Sequence, residues 1–235
     1  LIYRDVAKCK RFYADSGFFN RFNLQTTIRF MIKLEFMIGL LQKGLECNGT
    51  ADFRGNQVLV GELVALRHLL WAIVTAMVSD PEPSLGGSVV PRLEYAAAAR
   101  VYTNFAWDRI RQIYERILGG APIINVSSYR DFLNPEVRPI LDRYLRGTGM
   151  TAEERSKLYK LVWDALYSEF GGRHGLYELN YAGNHEQKYL DPLQWAERRG
   201  FMQQWKALVD ECLNQYDLTG WRDSTWVWEP DGTGR

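Results

Sequence analysis

The sequence predicts an all-α protein, built as an up-and-down helical bundle with long connections. Two observations support this fold class. Four long segments repeat apolar residues at steps of three and four, and no useful stretch alternates apolar and polar residues as a half-buried strand would. With 235 residues and 46% hydrophobic content, the chain can bury a sizeable core. We assign residues 1–218 to the bundle and residues 219–235, rich in Trp and Gly, to an irregular tail.

The first two helices are predicted from apolar stripes. Residues 24–47 carry one stripe, and Gly49 is expected to end that helix. Residues 58–78 carry two neighbouring stripes, so a helix there is apolar over most of its circumference and belongs in the middle of a bundle. Because Glu62 and Arg67 lie near its middle, where charges are costly inside a bilayer, we expect a buried helix of a soluble protein.

The remaining helices are separated by segments rich in turn-forming residues. Residues 80–91 contain three prolines and two glycines, which predicts a loop. A third helix is expected over residues 92–118. Thr151 and Glu154 form a capping-box start for a fourth helix, whose aromatic-rich stripe continues to Phe170.

Charge and cysteine content limit the possible functions. Lys and Arg total 29 against 28 Asp and Glu, so a formal net charge of +1 gives no bulk attraction to nucleic acid or to an anionic membrane. Cys9, Cys47 and Cys212 are odd in number and far apart, which disfavours a disulfide framework and a zinc or iron–sulfur site. We therefore expect a reduced, cytoplasmic setting, and no metal, nucleic acid or membrane partner.

The most informative segment is FGGRHGLYELNYAGNHE, residues 170–186. Its glycines predict a loop, because Gly171 and Gly172 can end the preceding helix in left-handed backbone conformations. Its Arg, Asn and His side chains offer hydrogen-bond donors to an anionic or carbonyl-bearing ligand, while Gly183 permits close approach of the backbone. A capped, solvated turn between helices has similar residues, so chemistry alone leaves both interpretations open.

Further motifs accompany this segment along the chain. They are LIYRDVAKCKRFYADSG at 1–17, IKLEFMIGLLQKGLE at 32–46, DFRGNQVLVGEL at 52–63 and GGAPIINVSSYRDF at 119–132. By these motifs, over nearly its whole length, the sequence resembles the 4-hydroxyphenylacetate 3-monooxygenase family. These proteins are the oxygenase components of two-component aromatic hydroxylases that use reduced flavin. The resemblance is specific for the family and leaves the substrate open.

The resemblance implies a fold and an activity. The family is built like the acyl-CoA dehydrogenases, with an N-terminal helical domain, a central β-domain and a C-terminal four-helix bundle that makes most of a homotetramer. This chain looks like the third of these, and the first two domains are expected to be absent from it, since nothing in it matches them. The chain begins without Met, so we expect a fragment or a processed chain. The implied activity is ortho-hydroxylation of a phenolic substrate with O2 and FADH2, which a separate flavin reductase supplies. The chain alone is expected to be inactive.

The resemblance also implies the site residues. It places the 170–186 segment near the isoalloxazine ring and the substrate, where Arg173 and His185 are the expected substrate contacts. The expected cofactor contacts in this segment are Arg173, Asn180, Tyr181, Ala182, Gly183 and Asn184. The loop at residues 119–128 is the candidate for the flavin diphosphate, since glycine backbone and serine hydroxyls suit phosphate oxygens. Its expected contacts are Gly119, Gly120, Ser127 and Ser128. No catalytic residue is predicted in this chain.

Other interpretations remain open from the sequence. The 119–128 loop could equally be an ordinary interhelical turn. A metal site could use His174 and His185, although their spacing matches no familiar metal motif. A related enzyme dehydrates an acyl-CoA with FAD and an iron–sulfur cluster, for which three scattered cysteines give little support. A catalytically silent helical oligomerisation module is a further alternative.

Overall fold

The computed structural model describes residues 2–181 and 183–215, so the tail predicted at residues 219–235 lies outside the described part. Its regular elements are helices and one antiparallel two-stranded hairpin. The helices are α1 Val6–Asp15, α2 Phe18–Asn48, α3 Arg54–Ser79, α4 Leu93–Ile117, α5 Arg138–Tyr144, α6 Ala152–Leu166, α7 Glu169–Asn180, α8 His185–Arg198 and α9 Phe201–Leu213, with 3₁₀ turns at Leu85–Gly87 and Tyr129–Leu133. The strands are β1 Pro81–Pro83 and β2 Val89–Pro91. Contacts divide the chain into two compact units, the first ending at Tyr189 and the second starting at Leu190.

Helices α2, α3 and α4 form the up-and-down core of the first unit. At the start of α2, the side chain of Asn20 donates a hydrogen bond to the carbonyl oxygen of Pro91, just before α4, at 2.7 Å. Farther along both helices, the Tyr114 hydroxyl donates to the carbonyl oxygen of Met37. Helices α2 and α4 therefore run in the same direction, and α3, which connects them, runs in the opposite one.

Helices α6 and α7 together supply the fourth layer and lie antiparallel to α2. At the middle of α6, the Tyr159 hydroxyl donates to Asn48 Oδ1, at the end of α2, at 2.6 Å. The following helix α7 reaches the first half of α2, where Glu178 pairs with Arg29. The predicted all-α bundle is thus confirmed. Its core comprises Phe30, Leu34, Met37, Leu41, Leu45, Leu63, Leu70, Trp107, Ile110, Ile113, Tyr114, Tyr159 and Val162.

Helix ends follow the local sequence signals. Gly49 takes a left-handed conformation, with φ of 70°, directly after α2, as predicted. The capping box of Thr151 and Glu154 is present at the start of α6. The fourth helix differs from the prediction because it breaks after α6, and the Ser168 hydroxyl caps a new helix by accepting a bond from the Gly171 amide. Phe170, expected on the inner stripe, therefore lies on α7 and is exposed.

The segment at residues 80–91 is more ordered than the predicted loop. Strands β1 and β2 pair within it, with Pro81 opposite Pro91. The Asn20 amide of α2 also donates to Glu82 Oε1 at 2.9 Å, and so ties the hairpin to the bundle. Prolines suit such a two-stranded ribbon because every strand is an edge strand.

Helix α3 is less buried in this chain than its two stripes predicted. Leu63, Leu70 and Met77 are its buried residues, whereas Trp71 and Val78 are 53% and 63% exposed. By length and composition alone the helix is apolar enough to cross a membrane, with 11% of its most apolar window buried. It packs against α2 and α4. The expectation of a fully buried helix is therefore wrong for the single chain, because α3 has neighbours on one side and an apolar surface on the other.

Candidate functional site

The 170–186 segment is largely helical, which corrects the predicted loop. Helices α7 and α8 account for most of it, and residues 181–184 connect them. Gly171 and Gly172 lie inside α7 and do not adopt positive φ angles. The prediction that these two glycines end the preceding helix is therefore wrong.

The glycines of α7 instead allow close packing. A Cβ atom at Gly171 would lie 2.7 Å from the backbone nitrogen of Leu166, where α6 ends. One turn later, a Cβ atom at Gly175 would lie 3.7 Å from the Trp107 ring of α4. Gly171, Gly175 and Glu178 share the buried face of α7. Small residues on that face bring the helix close enough for short side-chain contacts to α2 and α4.

Glu178 is buried between α7 and α2. Its carboxylate accepts hydrogen bonds from the Arg29 guanidinium at 2.8 and 2.7 Å and from the Lys33 ammonium at 3.0 Å. Burial alone would raise the pKa of Glu178, but the Arg29 hydrogen bonds and the Lys33 charge outweigh it and hold the pKa below its ordinary value. Glu178 is therefore ionised at neutral pH, and the ion pair fixes α7 against α2.

His174 lies one turn before Glu178 and contacts the same lysine. The Lys33 ammonium is within hydrogen-bonding distance of the His174 Nδ1 atom. Partial burial, and then the charge of Lys33, lower the pKa of His174. Because an ammonium group can only donate, a neutral imidazole with Nδ1 as acceptor fits this contact. At neutral pH His174 is thus a hydrogen-bond acceptor rather than a proton donor.

Aromatic rings extend from α7 to the start of α2. Ring centroids are separated by 5.4 Å between His174 and Tyr177, 4.3 Å between Tyr177 and Tyr181, and 5.1 Å between Tyr181 and Phe22. The Arg29 guanidinium carbon lies 4.9 Å from the Tyr177 ring centroid. These four rings are here called the aromatic row, and one of them, Tyr181, is the first residue of the 181–184 connection. They give that connection a surface on which a planar ligand can pack.

Arg173 and Asn180 lie on the outer part of α7. The Arg173 side chain is 79% exposed and forms an ion pair with Glu169, one turn earlier, at 2.8 Å. The Asn180 amide donates to the carbonyl oxygen of Leu176 at 2.9 Å. An exposed pair of this kind contributes little to stability, so Arg173 can exchange Glu169 for another anion at small cost.

Gly183 and Asn184 lead from the end of α7 into α8. Gly183 takes a φ of 105°, a conformation that favours glycine, and a Cβ atom there would lie 2.7 Å from Arg100 Nη2 of α4. Asn184 caps α8, because its Oδ1 accepts from the Glu186 amide at 2.8 Å. His185, the first residue of α8, is exposed. Ala182 lies outside the described residues.

The 119–128 loop lies at a different part of the bundle. Gly119 turns the chain after α4 with a φ of 55°, next to the exposed Gly120. Ser127 lines a cavity of about 360 Å³ together with Lys160 and Ser156 of α6. Ser128 instead caps the following 3₁₀ turn, accepting from an amide at 3.2 Å.

One polar atom beside this cavity has no partner. The Ser156 hydroxyl is buried and makes no hydrogen bond within the described structure. A buried, unpaired hydroxyl is unfavourable, so the position favours a polar ligand atom or an ordered water molecule. The cavity therefore combines serine hydroxyls with the ammonium groups of Lys157 and Lys160, donors that suit phosphate oxygens, and the carboxylates of Glu153 and Asp164 also line it.

The two predicted groups of cofactor contacts do not meet within one chain. Tyr181 packs on Phe22, whereas Leu118, which precedes the 119–128 loop, would contact a Cβ atom at Gly44 at 2.9 Å. Positions 22 and 44 are about 33 Å apart along α2 at 1.5 Å per residue. The two groups of one chain therefore lie in distant parts of the bundle.

Several structurally important residues were not predicted from the sequence. They are Arg29, Lys33, Asn104, Glu178 and Lys188. Their only sequence signal is polarity within helical patterns, which is also typical of solvated positions. Over residues 2–181 and 183–215, no cluster of three or more His, Cys, Asp or Glu side chains could hold a metal ion.

Comparison with known proteins gives a consistent family assignment. Residues 9–210 match the family model described as 4-hydroxyphenylacetate 3-hydroxylase C terminal. The pyoverdin chromophore biosynthetic protein PvcC of Pseudomonas aeruginosa is 50% identical over 226 residues, which cover 96% of this chain and 45% of that protein. The oxygenase component of 4-hydroxyphenylacetate 3-monooxygenase of Escherichia coli is 41% identical over 222 residues, covering 94% and 43%. The chain thus spans less than half the length of these relatives.

Solved structures agree with the sequence comparison. An oxygenase component of 4-hydroxyphenylacetate 3-monooxygenase, complexed with FAD and 4-hydroxyphenylacetate, superposes with a TM-score of 0.83 at 26% identity, over 92% of this chain and 45% of that one. An archaeal 4-hydroxybutyryl-CoA dehydratase from N. maritimus superposes with a TM-score of 0.72 at 18% identity, over 85% and 40%. At that identity the second likeness shows the fold alone.

Proposed function

This chain belongs to the 4-hydroxyphenylacetate 3-hydroxylase C-terminal family, and from that premise we propose that it is the flavin-contacting and oligomerising part of an FADH2-dependent monooxygenase. The proposed reaction is hydroxylation of a phenol ortho to its hydroxyl group, with O2 as oxidant. The observation that carries the proposal is the turn at Gly183, with a φ of 105°, next to Tyr181 of the aromatic row. Such a turn presents backbone polar groups beside ring faces, as binding of a planar heterocycle requires.

The residues near the connection have distinct proposed roles. Bound FADH2 would supply the electrons that activate O2, and this chain would position the flavin and exclude water from it. Tyr181 and Tyr177 would pack near the flavin ring. Arg173 would leave Glu169 and place its positive charge near the flavin or the phenolate. The backbone of residues 183 and 184 would approach the ring closely, because Gly183 has no side chain.

The 119–128 loop is proposed to bind the diphosphate of a different flavin. The Ser127 hydroxyl, the unpaired Ser156 hydroxyl and Lys160 give this cavity the donors that a diphosphate needs. Because the loop and the 181–184 connection are about 33 Å apart along α2, each flavin would take contacts from two copies of the chain. This arrangement supports the proposed homotetramer, in which the exposed apolar side of α3 would be covered by another subunit.

The remaining parts of the site would come from outside this chain. The described residues include no cluster that recognises a specific phenol, so the substrate is proposed only as a phenolic small molecule. A separate flavin reductase is the proposed source of FADH2, and the proposed setting is cytoplasmic, without a membrane or nucleic acid partner. The acyl-CoA dehydratase alternative has support from fold alone, and no observation favours a catalytically silent module.

Reconstitution with a flavin reductase tests the proposal. The complete polypeptide that carries this chain would be incubated with FAD, NADH, the reductase, O2 and a panel of phenols, and catechols would be measured by chromatography. We expect catechol from at least one phenol and none when the reductase is omitted. The 235-residue chain alone should form hydrogen peroxide but negligible catechol. The proposed function would be contradicted if the complete polypeptide did not bind FAD or did not hydroxylate any phenol of the panel.

A further inference from the structure

The last turn of α7 has a partner for every main-chain carbonyl group. An α-helix leaves its final four carbonyl oxygens without intrahelical partners. In α7, the carbonyl oxygens of Tyr177 and Asn180 accept from the amides of Tyr181 and Gly183, at 2.7 and 2.9 Å. The carbonyl oxygen of Glu178 accepts from the Asn104 side-chain amide at 2.7 Å, and that of Leu179 accepts from the Lys188 ammonium group. Two of the four partners thus come from other helices.

Asn104 and Lys188 are also bonded to each other. The Lys188 ammonium donates to Asn104 Oδ1, while Asn104 Nδ2 donates to α7. Since an ammonium group only donates, this contact fixes which end of the amide faces Lys188. Lys188 is 1% exposed and Asn104 is 7% exposed. The pair is therefore a buried link from α4 and α8 to the end of α7.

Among residues 2–181 and 183–215, no carboxylate is hydrogen-bonded to the buried Lys188 ammonium group, so its burial depends on other partners. The charged groups that face Lys188 are Arg100 and Asp108, both on α4. Burial, followed by the charge of Arg100 and against that of Asp108, lowers the pKa of Lys188 to about 8. The C-terminal end of a helix carries partial negative charge, so carbonyl oxygens there are suitable partners for a cation.

We propose that Lys188 and Asn104 act together as a cap on α7 that holds Tyr181, Gly183 and Asn184 in one conformation, with Lys188 as a positioning residue for the flavin contacts. The role in flavin contact rests on the function proposed above, whereas the cap itself does not. The cap acts from both sides of the connection, because α7 precedes residues 181–184 and Lys188 follows them by one turn of α8. The Arg100 side chain of α4 lies next to Gly183, so α4 also contacts the connection.

The cap predicts a dependence on pH. Opening of the cap would return Lys188 to water, where its ordinary pKa is 10.5, so the open state binds the proton more readily than the capped state, in which the pKa is about 8. The cap should therefore become more stable as pH rises through that range, because the neutral amine still donates hydrogen bonds and no longer carries the cost of a buried charge. Arginine at position 188 would keep its charge throughout, and methionine would never carry one.

Amide hydrogen exchange of the full chain tests the cap. The variants are Lys188→Met, Lys188→Arg and, as a control, Lys10→Met on the exposed side of α1. After correction for intrinsic rates, we expect the Gly183 amide to exchange about tenfold faster in Lys188→Met at pH 7, with α2 unaffected and Lys10→Met unchanged. Protection of Gly183 in wild type should rise between pH 7 and pH 9.5, while protection in Lys188→Met and Lys188→Arg should not change with pH.

The outcomes separate the cap from the proposed function. Equal Gly183 protection in wild type and Lys188→Met, or no change in wild type around pH 8, overturns the cap. The wild-type profile needs no variant, so the test stands even if Lys188→Met does not fold. FAD affinity of the complete polypeptide is then measured for the same variants. Faster exchange of the Gly183 amide together with unchanged FAD affinity would support the cap and contradict its role in positioning the flavin contacts.

Discussion

Glu178 and Arg29, which are 149 positions apart in the sequence, form a bidentate ion pair at 2.8 and 2.7 Å that joins α7 to α2. The pair holds the inner face of α7 against α2. It stands next to the aromatic row, because Arg29 also lies over Tyr177. The position of the candidate site is therefore set by a contact between two residues that are not themselves part of it.

Replacing Glu178 with Gln is expected to destabilise the fold by about 3–5 kcal/mol, because Arg29 and Lys33 would be left close together without their anionic partner. The free energy of unfolding, measured by urea denaturation at pH 7, checks this. Glu169→Gln is the matched control, since the Glu169 pair with Arg173 is exposed and should contribute less than about 0.5 kcal/mol. Equal effects of the two substitutions would contradict the prediction.

Stability should fall between pH 7 and pH 5 because of His174. Its pKa in the folded state is lowered below the ordinary value of 6.5, so the unfolded chain binds the proton more readily. The stabilisation is complete above pH 6.5 and is lost as pH falls through the folded pKa. Urea denaturation at several pH values should show a smaller decline in His174→Gln than in wild type. His185→Gln, a change at an exposed position, is the control, and identical profiles of His174→Gln and wild type would rule out this role.

Two adjacent glycines of α7 are expected to respond in opposite ways to alanine. Gly171→Ala should destabilise by about 1–3 kcal/mol, because the new Cβ atom would overlap the backbone of Leu166. Gly172→Ala should stabilise by about 0.5–1 kcal/mol, because no heavy atom lies within 4 Å of its Cβ position and alanine favours the helix. Thermal unfolding of both variants is the measurement. Stabilisation by both would mean that α6 and α7 are not closely packed.

Arg173→Ala should preserve the fold yet weaken FADH2 binding or the coupling of FADH2 oxidation to product. Loss of one charge-assisted hydrogen bond corresponds to about 1.5–3 kcal/mol, or about ten- to a hundredfold in affinity. Anaerobic titration of the complete polypeptide, followed by product analysis, checks this. Arg111→Ala removes an arginine of α4 that, like Arg173, pairs with a glutamate one turn away, and serves as control. Wild-type affinity and product yield in Arg173→Ala would exclude Arg173 from the site.

Trp71→Asp on α3 is expected to reduce the size of the assembly, because it places a charge in the apolar surface that a second copy of the chain would cover. Light scattering with size-exclusion chromatography gives the molar mass. Tyr144→Asp, at an exposed position of α5, is the control and should leave the mass unchanged. A wild-type chain that is already monomeric would contradict the proposed oligomer.

The elements with long periodic patterns were predicted well. Apolar steps of three and four residues identified α2, α3, α4 and α6, and local signals at Gly49 and Thr151 located two of their ends. The motifs along the chain led to the family. The errors concern glycine, which occurs both at helix ends and where two helices pack closely. Gly171 and Gly172 were interpreted as helix terminators, although in α7 the first permits close packing and the second is tolerated.

The sequence by itself determined the helices, the bundle class and the family, because periodicity, caps and motifs are local properties of the chain. The tertiary structure alone decided which polar residues meet. Arg29 with Glu178 and Asn104 with Lys188 are paired only after four helices pack, and burial, which sets their pKa values and hydrogen bonds, does not exist before packing. It also decided that the 119–128 loop and the 181–184 connection lie far apart. The spacing of two segments depends on helix direction, which no local pattern records.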